Sequence, residues 1–139
     1  MSEDPRARII RVALSWVGTP FHDGAGVKGV GCDCLHLLVR TAAEAGLIRN
    51  FEPEPYSPQW FQHRDEPRFL QGLAKYCHRV DVGQPGDFEM FNFGRHAAHA
   101  GIIVDAQSMV HAYKPARVVC LDSRAQYAPR FDSAWSIFP

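Results

Sequence analysis

The chain has 139 residues, 46% of them hydrophobic, and 15 Lys plus Arg against 15 Asp plus Glu, so its formal net charge is zero. That length supports one compact domain over residues 1–139, burying about 70% of the surface its unfolded form exposes. Balanced charge with no basic block argues against nucleic acid as a partner, and no segment approaches the roughly 20 apolar residues of a membrane span.

The N-terminus, "MSEDPRARIIRVALSWVG", places acids before a short apolar stripe broken by Arg6, Arg8 and Arg11. It has neither the basic leader nor the apolar run of an export signal, so the expectation is a soluble protein, cytoplasmic at synthesis. Ile9, Ile10, Ala13, Leu14 and Val17 recur at helical spacing and predict an amphipathic helix over 5–17, with Pro5 in its first turn and Gly18 as its stop. Residues 19–31 hold Pro20, Gly24, Gly26, Gly29 and Gly31, a density that predicts a loop. Asp33 is a good N-cap for a second helix running through Leu35, Leu37, Leu38, Thr41 and Ala42 to Ala45, with Gly46 at its C-terminal stop.

"NFEPEPYSPQWFQHRDEP" mixes prolines and aromatics without a period and reads as an ordered surface loop able to wall a groove. A third helix is expected from about Pro67 to Arg79, with Phe69, Leu70, Leu73 and Tyr76 on one face. After "GQPGD" the period shortens: Phe88, Met90 and Asn92 alternate with Glu89, Phe91 and Phe93, and "HAGIIVDA", "SMVHAY", "ARVVCLD" and "SAWSIFP" read as short strands. Helices first and an antiparallel sheet of five or six strands second is an α+β pattern.

The chemistry centres on "GVGCDCLHLL", where Cys32 and Cys34 stand two apart at the junction of loop and helix. Four cysteines in a chain without an export signal argue for reduced thiols, and partners this close close a disulfide only in a strained ring. Cys34 would be the first helical residue, where backbone N–H groups and the helix dipole favour thiolate. A cysteine nucleophile also needs a base and a group that orients the base. Seven histidines are available, and if "HAGIIVD" and "SMVHAY" are neighbouring strands, His99 and His111 present their rings to one end of the sheet. Packing the Cys34 helix on that sheet lets the three meet.

Four ordered motifs carry a resemblance. "VGTPFHDGAGVKGVGCDCLHLLVRTAAEAGL", "PGDFEMF", "HAGIIVD" and "MVHAY", together spanning about Val17 to Tyr113, resemble the motifs of NlpC-type cell-wall cysteine peptidases, a papain-like family. The resemblance implies a papain-like α+β fold, with N-terminal helices packed on a central antiparallel sheet and no cofactor or metal. It implies Cys34 as nucleophile, His99 as base and His111 as the group orienting it, with the Cys34 N–H in an oxyanion hole and Asp33 as a cap able to meet a substrate amine. The implied substrate is the peptidoglycan stem peptide, cut between D-glutamate and the diamino acid. The Cys-Asp-Cys-Leu form is similar to that of phage-tail and gene-transfer-agent members, which implies phage tail proteins as partners and a virion-associated setting.

Two positions depart from that pattern. Phe21 followed by His22 replaces the tyrosine expected to help line the oxyanion region, leaving His22 as the substitute donor. The glycine usual two residues after the nucleophile is His36, whose ring must point outward or open the helix packing. Two rival readings remain. Cys32, Cys34 and His36 form a Cys-x-Cys-x-His run that, with Cys120 or the histidine pair, could hold zinc, although the usual two to four residues between paired cysteines are missing. The other keeps the fold without the activity, as a tail-assembly or wall-binding module. Trp16, Trp60 and Trp135 are expected in packing roles, Cys32 as a bystander, Cys77 and Cys120 as packed cysteines, and His96 in solvent.

Overall fold

The computed structural model describes residues 3–53, 71–93 and 97–139. Most of the proline-rich loop, the first part of the third expected helix, Trp60, His63 and His96 lie outside them.

Helix α1 (Pro5–Ser15) starts at Asp4, whose carboxylate accepts the Ala7 N–H, with Pro5 at the first position. Its buried face is Ile9, Val12, Ala13 and, just past its end, Trp16, while Leu14 and Val17 are exposed. The apolar stripe expected from the sequence is thus turned by about one residue, because Trp16 supplies the largest apolar surface and carries the face round with it. Helix α2 (Cys34–Glu44) is capped by Asp33 and ends before Gly46, which sits at φ 76°. It is buried from Cys34 through Val39, a helix covered on nearly every side.

The glycine-rich segment expected as loop contains a two-stranded ribbon, β1 (Gly26–Val27) against β2 (Gly31–Cys32). The third helix is shorter than its pattern predicts. Within the described residues α3 spans Gln71–Ala74, and His78–Val80 form strand β3 instead. Tertiary pairing overrides local propensity here, since β3 hydrogen-bonds to Ala134, Trp135 and Ser136.

The main sheet adds β4 (Phe88–Asn92), β5 (Ala97–Ile103), β6 (Ser108–Tyr113), β7 (Val118–Ser123) and β8 (Phe131–Ser136), with the short helix α4 (Arg124–Tyr127) before β8. Its six strands run in the order β3-β8-β4-β5-β6-β7, every pair antiparallel. Helix α2 lies on β5 and β6 and against α1, and Ile9, Leu37, Leu38, Phe88, Met90 and Ile102 fill the layer between. This is the α+β arrangement of helices on an antiparallel sheet that the sequence predicts. Among the described residues no helix is long and apolar enough to cross a membrane.

Candidate functional site

Asp33 decides where α2 begins. Its Oδ1 accepts the His36 N–H at 2.9 Å, and its Oδ2 accepts the Gly24 N–H at 2.8 Å, so one carboxylate ties the loop to the helix. Cys34 follows as the first helical residue, 5% exposed. The N–H of Ala100 on β5 points at its sulfur, as does its own N–H, so the thiol sits one residue along β5 from His99. Burial pushes the Cys34 thiol well up from its ordinary range, and the neighbouring Asp33 carboxylate adds to the rise; the two N–H groups pull the other way and lose. Burial thus works against the thiolate that the helix dipole favours.

His99 and His111 come together on the sheet. The β5–β6 ladder pairs Ile102 with Val110 and Ile103 with Met109, which sets Gly101 opposite His111 and His99 diagonal to it on the same face. Gly101 leaves the room this needs: a Cβ there would lie 2.7 Å from Met109 Sδ and 3.5 Å from His111 Cβ. His99 Nε2 and His111 Nδ1 are 2.8 Å apart. Phe91, Phe93 and Tyr113 surround the His99 ring, while Tyr113 stacks on His111 and Tyr127 meets it edge-on. Burial, and then the neighbouring His111, lower the His99 pKa to about 3. Burial also lowers that of His111 against the pull of Asp122. Both rings are neutral at rest.

The hydrogen-bond chain continues beyond the residues the sequence singles out. His111 Nε2 lies 3.0 Å from Asp122 Oδ2, which also accepts the Tyr127 hydroxyl at 2.8 Å, while Asp122 Oδ1 accepts the Ser123 N–H at 2.8 Å. A signal for Asp122 does exist in the sequence pattern. Once β6 pairs with β7 so that His111 faces Cys120, the residue two further on shares that face.

His36 does neither thing expected of it. Its ring is buried, with Nδ1 2.7 Å from Asp33 Oδ1 and Nε2 2.7 Å from Glu52 Oε1, and Arg40 also pairs with Glu52. Gly26 makes the space, since a Cβ there would lie 2.8 Å from His36 Cδ2 and 2.9 Å from its Cβ. Burial alone would lower the His36 pKa, but its hydrogen bonds to Asp33 and then Glu52 outweigh that and raise it. The Asp33 carboxylate is buried and occupied by this ring and by backbone N–H groups.

With both His36 nitrogens held by carboxylates and the Cys32 thiol donating to the Asp33 carbonyl at 3.1 Å, Cys32, Cys34 and His36 do not gather into a zinc site. Cys32 is fully buried, and burial pushes its thiol up to about 12. His111, Cys120 and Asp122 do bring ligand atoms within 4.8 Å of one another. The nitrogen and carboxylate of that set are already hydrogen-bonded, so the cluster is complete without an ion. All four cysteines are free, with Cys77 and Cys120 half-buried. Phe21 packs against the core and bridges to Cys32, with its N–H on the Arg117 carbonyl at 2.9 Å. His22 is exposed beside Gly31, and Trp16 is a packing residue that donates to Glu44.

No protein-family model matches the sequence, and no curated protein sequence matches it. Solved structures do match the fold. The NlpC/p60 domain of the peptidoglycan hydrolase SagA is 20% identical, with 94% of this chain and 97% of that one aligned at a TM-score of 0.66. An NlpC/P60 family protein from Bacillus cereus is 18% identical at a TM-score of 0.68, and the alignment spans 96% of this chain but 40% of that one. RipD from Mycobacterium tuberculosis, described as a non-catalytic NlpC/p60 domain protein adapted to peptidoglycan binding, is 16% identical over 96% of this chain and 97% of its own at 0.63. The chain has the papain-like α+β fold of NlpC/p60 domains, a fold that serves cell-wall hydrolases and at least one non-catalytic protein.

Proposed function

We propose that this protein is a cysteine peptidase that hydrolyses stem peptides of bacterial peptidoglycan, with Cys34 as nucleophile, His99 as base and His111 orienting the base. One observation carries the reading: a cysteine at the head of a buried helix lies against the strand that carries His99, whose ring nitrogen is 2.8 Å from that of His111 on the next strand, within the fold of a peptidoglycan hydrolase domain.

The burial of thiol and imidazole determines how such a step runs. Burial favours the uncharged forms of both groups, and the proton passes to His99 as sulfur attacks the scissile carbonyl. The carbonyl oxygen becomes an oxyanion that the Cys34 N–H can receive, and one such donor is worth about 3 kcal/mol elsewhere. The protonated His99 hands its proton to the leaving amine, giving an acyl-enzyme. Water then attacks the acyl carbon, with His99 again as base; the C–S bond breaks, the acid product leaves, and the proton on His99 returns to the sulfur.

Since the Asp33 carboxylate is spent on His36 and Gly24, it acts through the loop, and Phe21 and His22, on the same loop, line the substrate path. Cleavage between D-glutamate and the diamino acid, and a phage-tail or prophage setting, follow from the motif resemblance.

The buried thiol and the non-catalytic RipD favour a second reading, a wall-binding module of the same fold. Digestion of purified peptidoglycan by the wild type beside Cys34→Ala, with fragments read by mass, decides between them. New fragments from the wild type alone support the peptidase. Identical patterns, with both proteins sedimenting with the wall, support the binding module.

A further inference from the structure

We infer that Asp122 is a positioning residue that sets the tautomers of both histidines, so that the ring nitrogen of His99 left without a proton is the one free to receive it from Cys34. The inference rests on reading Cys34 and His99 as nucleophile and base, and goes beyond that pair to a residue two strands away from the thiol.

The argument is a chain of donors and acceptors. Asp122 Oδ2 already accepts from the Tyr127 hydroxyl, and Oδ1 from the Ser123 N–H, so the carboxylate acts as an acceptor throughout. The His111 Nε2 that faces it at 3.0 Å must then carry the proton. In a neutral imidazole only one nitrogen is protonated, which leaves His111 Nδ1 as a lone pair. That lone pair faces His99 Nε2 at 2.8 Å, so His99 Nε2 must be the donor. His99 Nδ1 is consequently bare. Remove the carboxylate's acceptor character and both rings lose the reason for this choice.

The Asp122→Asn variant is informative because the backbone dictates how its amide lies. The Ser123 N–H requires an oxygen at the Oδ1 position, which turns the amide NH₂ toward His111 Nε2 and the Tyr127 hydroxyl, both able to accept. His111 then protonates at Nδ1, His99 receives that donor at Nε2, and its own proton moves to Nδ1, where it blocks transfer from the thiol. In the Ser-His-Asp enzymes, the corresponding change of carboxylate to amide costs about 10⁴ in kcat through the wrong tautomer.

The test reads the ring nitrogens directly by nitrogen-15 NMR of histidine-labelled protein, beside kcat and KM on peptidoglycan fragments. The expected result is protonated Nε2 on both rings in the wild type, protonated Nδ1 on both in Asp122→Asn, and kcat lower by about 10³-fold or more with KM little changed. Tyr127→Phe, which keeps the carboxylate, should keep the wild-type tautomers. A bare His111 Nε2 in the wild type overturns the inference without any variant, and so do unchanged tautomers in Asp122→Asn or switched ones in Tyr127→Phe. Failure of the wild type to cleave more than Cys34→Ala overturns the peptidase reading instead, and leaves the proton assignment to be judged by the spectra.

Discussion

Gly26 and His36 form a pair whose coupling has a calculable sign. In the wild type, alanine at 26 would put its Cβ 2.8 Å from His36 Cδ2 and 2.9 Å from His36 Cβ. Overpacking of this kind costs about 2 kcal/mol, and loss of unfolded-state freedom on replacing glycine returns about 0.7 kcal/mol, leaving about 1.3 kcal/mol of destabilisation. With His36→Gly both clashing atoms are gone, and the remaining neighbour is Arg40 Nε at 3.0 Å, which donates to the Gly26 carbonyl. In that background Gly26→Ala should be neutral or stabilise by about 0.5 kcal/mol. Urea unfolding of the four proteins gives the cycle, and the expected coupling is about 1.5 kcal/mol. His36→Gly will itself destabilise, because Asp33 loses its buried hydrogen-bond partner, but the cycle cancels that common cost. If Gly26→Ala costs the same in both backgrounds, the ring does not occupy the space the glycine leaves, and the account of His36 fails.

The resting thiol is expected to react slowly. At pH 7 iodoacetamide should label Cys34 in the native protein more slowly than in urea, read by peptide mass, because burial keeps the sulfur protonated; faster labelling in the native state would show a preformed thiolate. The His36 latch predicts a window of pH. His36 has a raised pKa, so its stabilisation is complete below its unfolded value of about 6.5 and fades as pH climbs through the raised folded value. Glu52 has a lowered pKa, from its hydrogen bond to His36 first, so its share is present above its unfolded value and fades as pH falls through the folded one. The difference in unfolding midpoint between the wild type and His36→Gln should therefore shrink as pH rises from about 6.5, and a difference that stays constant as pH rises would refute the latch.

What the sequence made legible follows from how local each signal is. Asp33 and Gly46 bracket α2 because capping depends on neighbours within four residues, and the period-two runs from Phe88 onward became strands because alternation is also local. The two histidines could be paired on paper because a tight turn joins β5 to β6. The end of the third helix was not legible, since His78–Val80 is drawn into β3 by a partner more than fifty residues on. Nor was the fate of His36: its ring depends on Gly26 and Glu52, which only the folded loop brings alongside. The burial that opposes a thiolate was not legible for a similar reason, because helix position suggests a dipole whereas depth of burial is a property of the whole packed layer.

Asp122 belongs to β7, the outermost strand on its side of the sheet among the described residues. The interior members of the proton chain are locked in by aromatic neighbours, but its last link stands on the molecule's margin, where a side chain can be exchanged without rebuilding the interior. On the peptidase reading, a lineage carrying this architecture has a dial at its rim: drift at a single border position resets the proton placement while leaving the scaffold intact. Catalytic and dormant cousins would then share one framework.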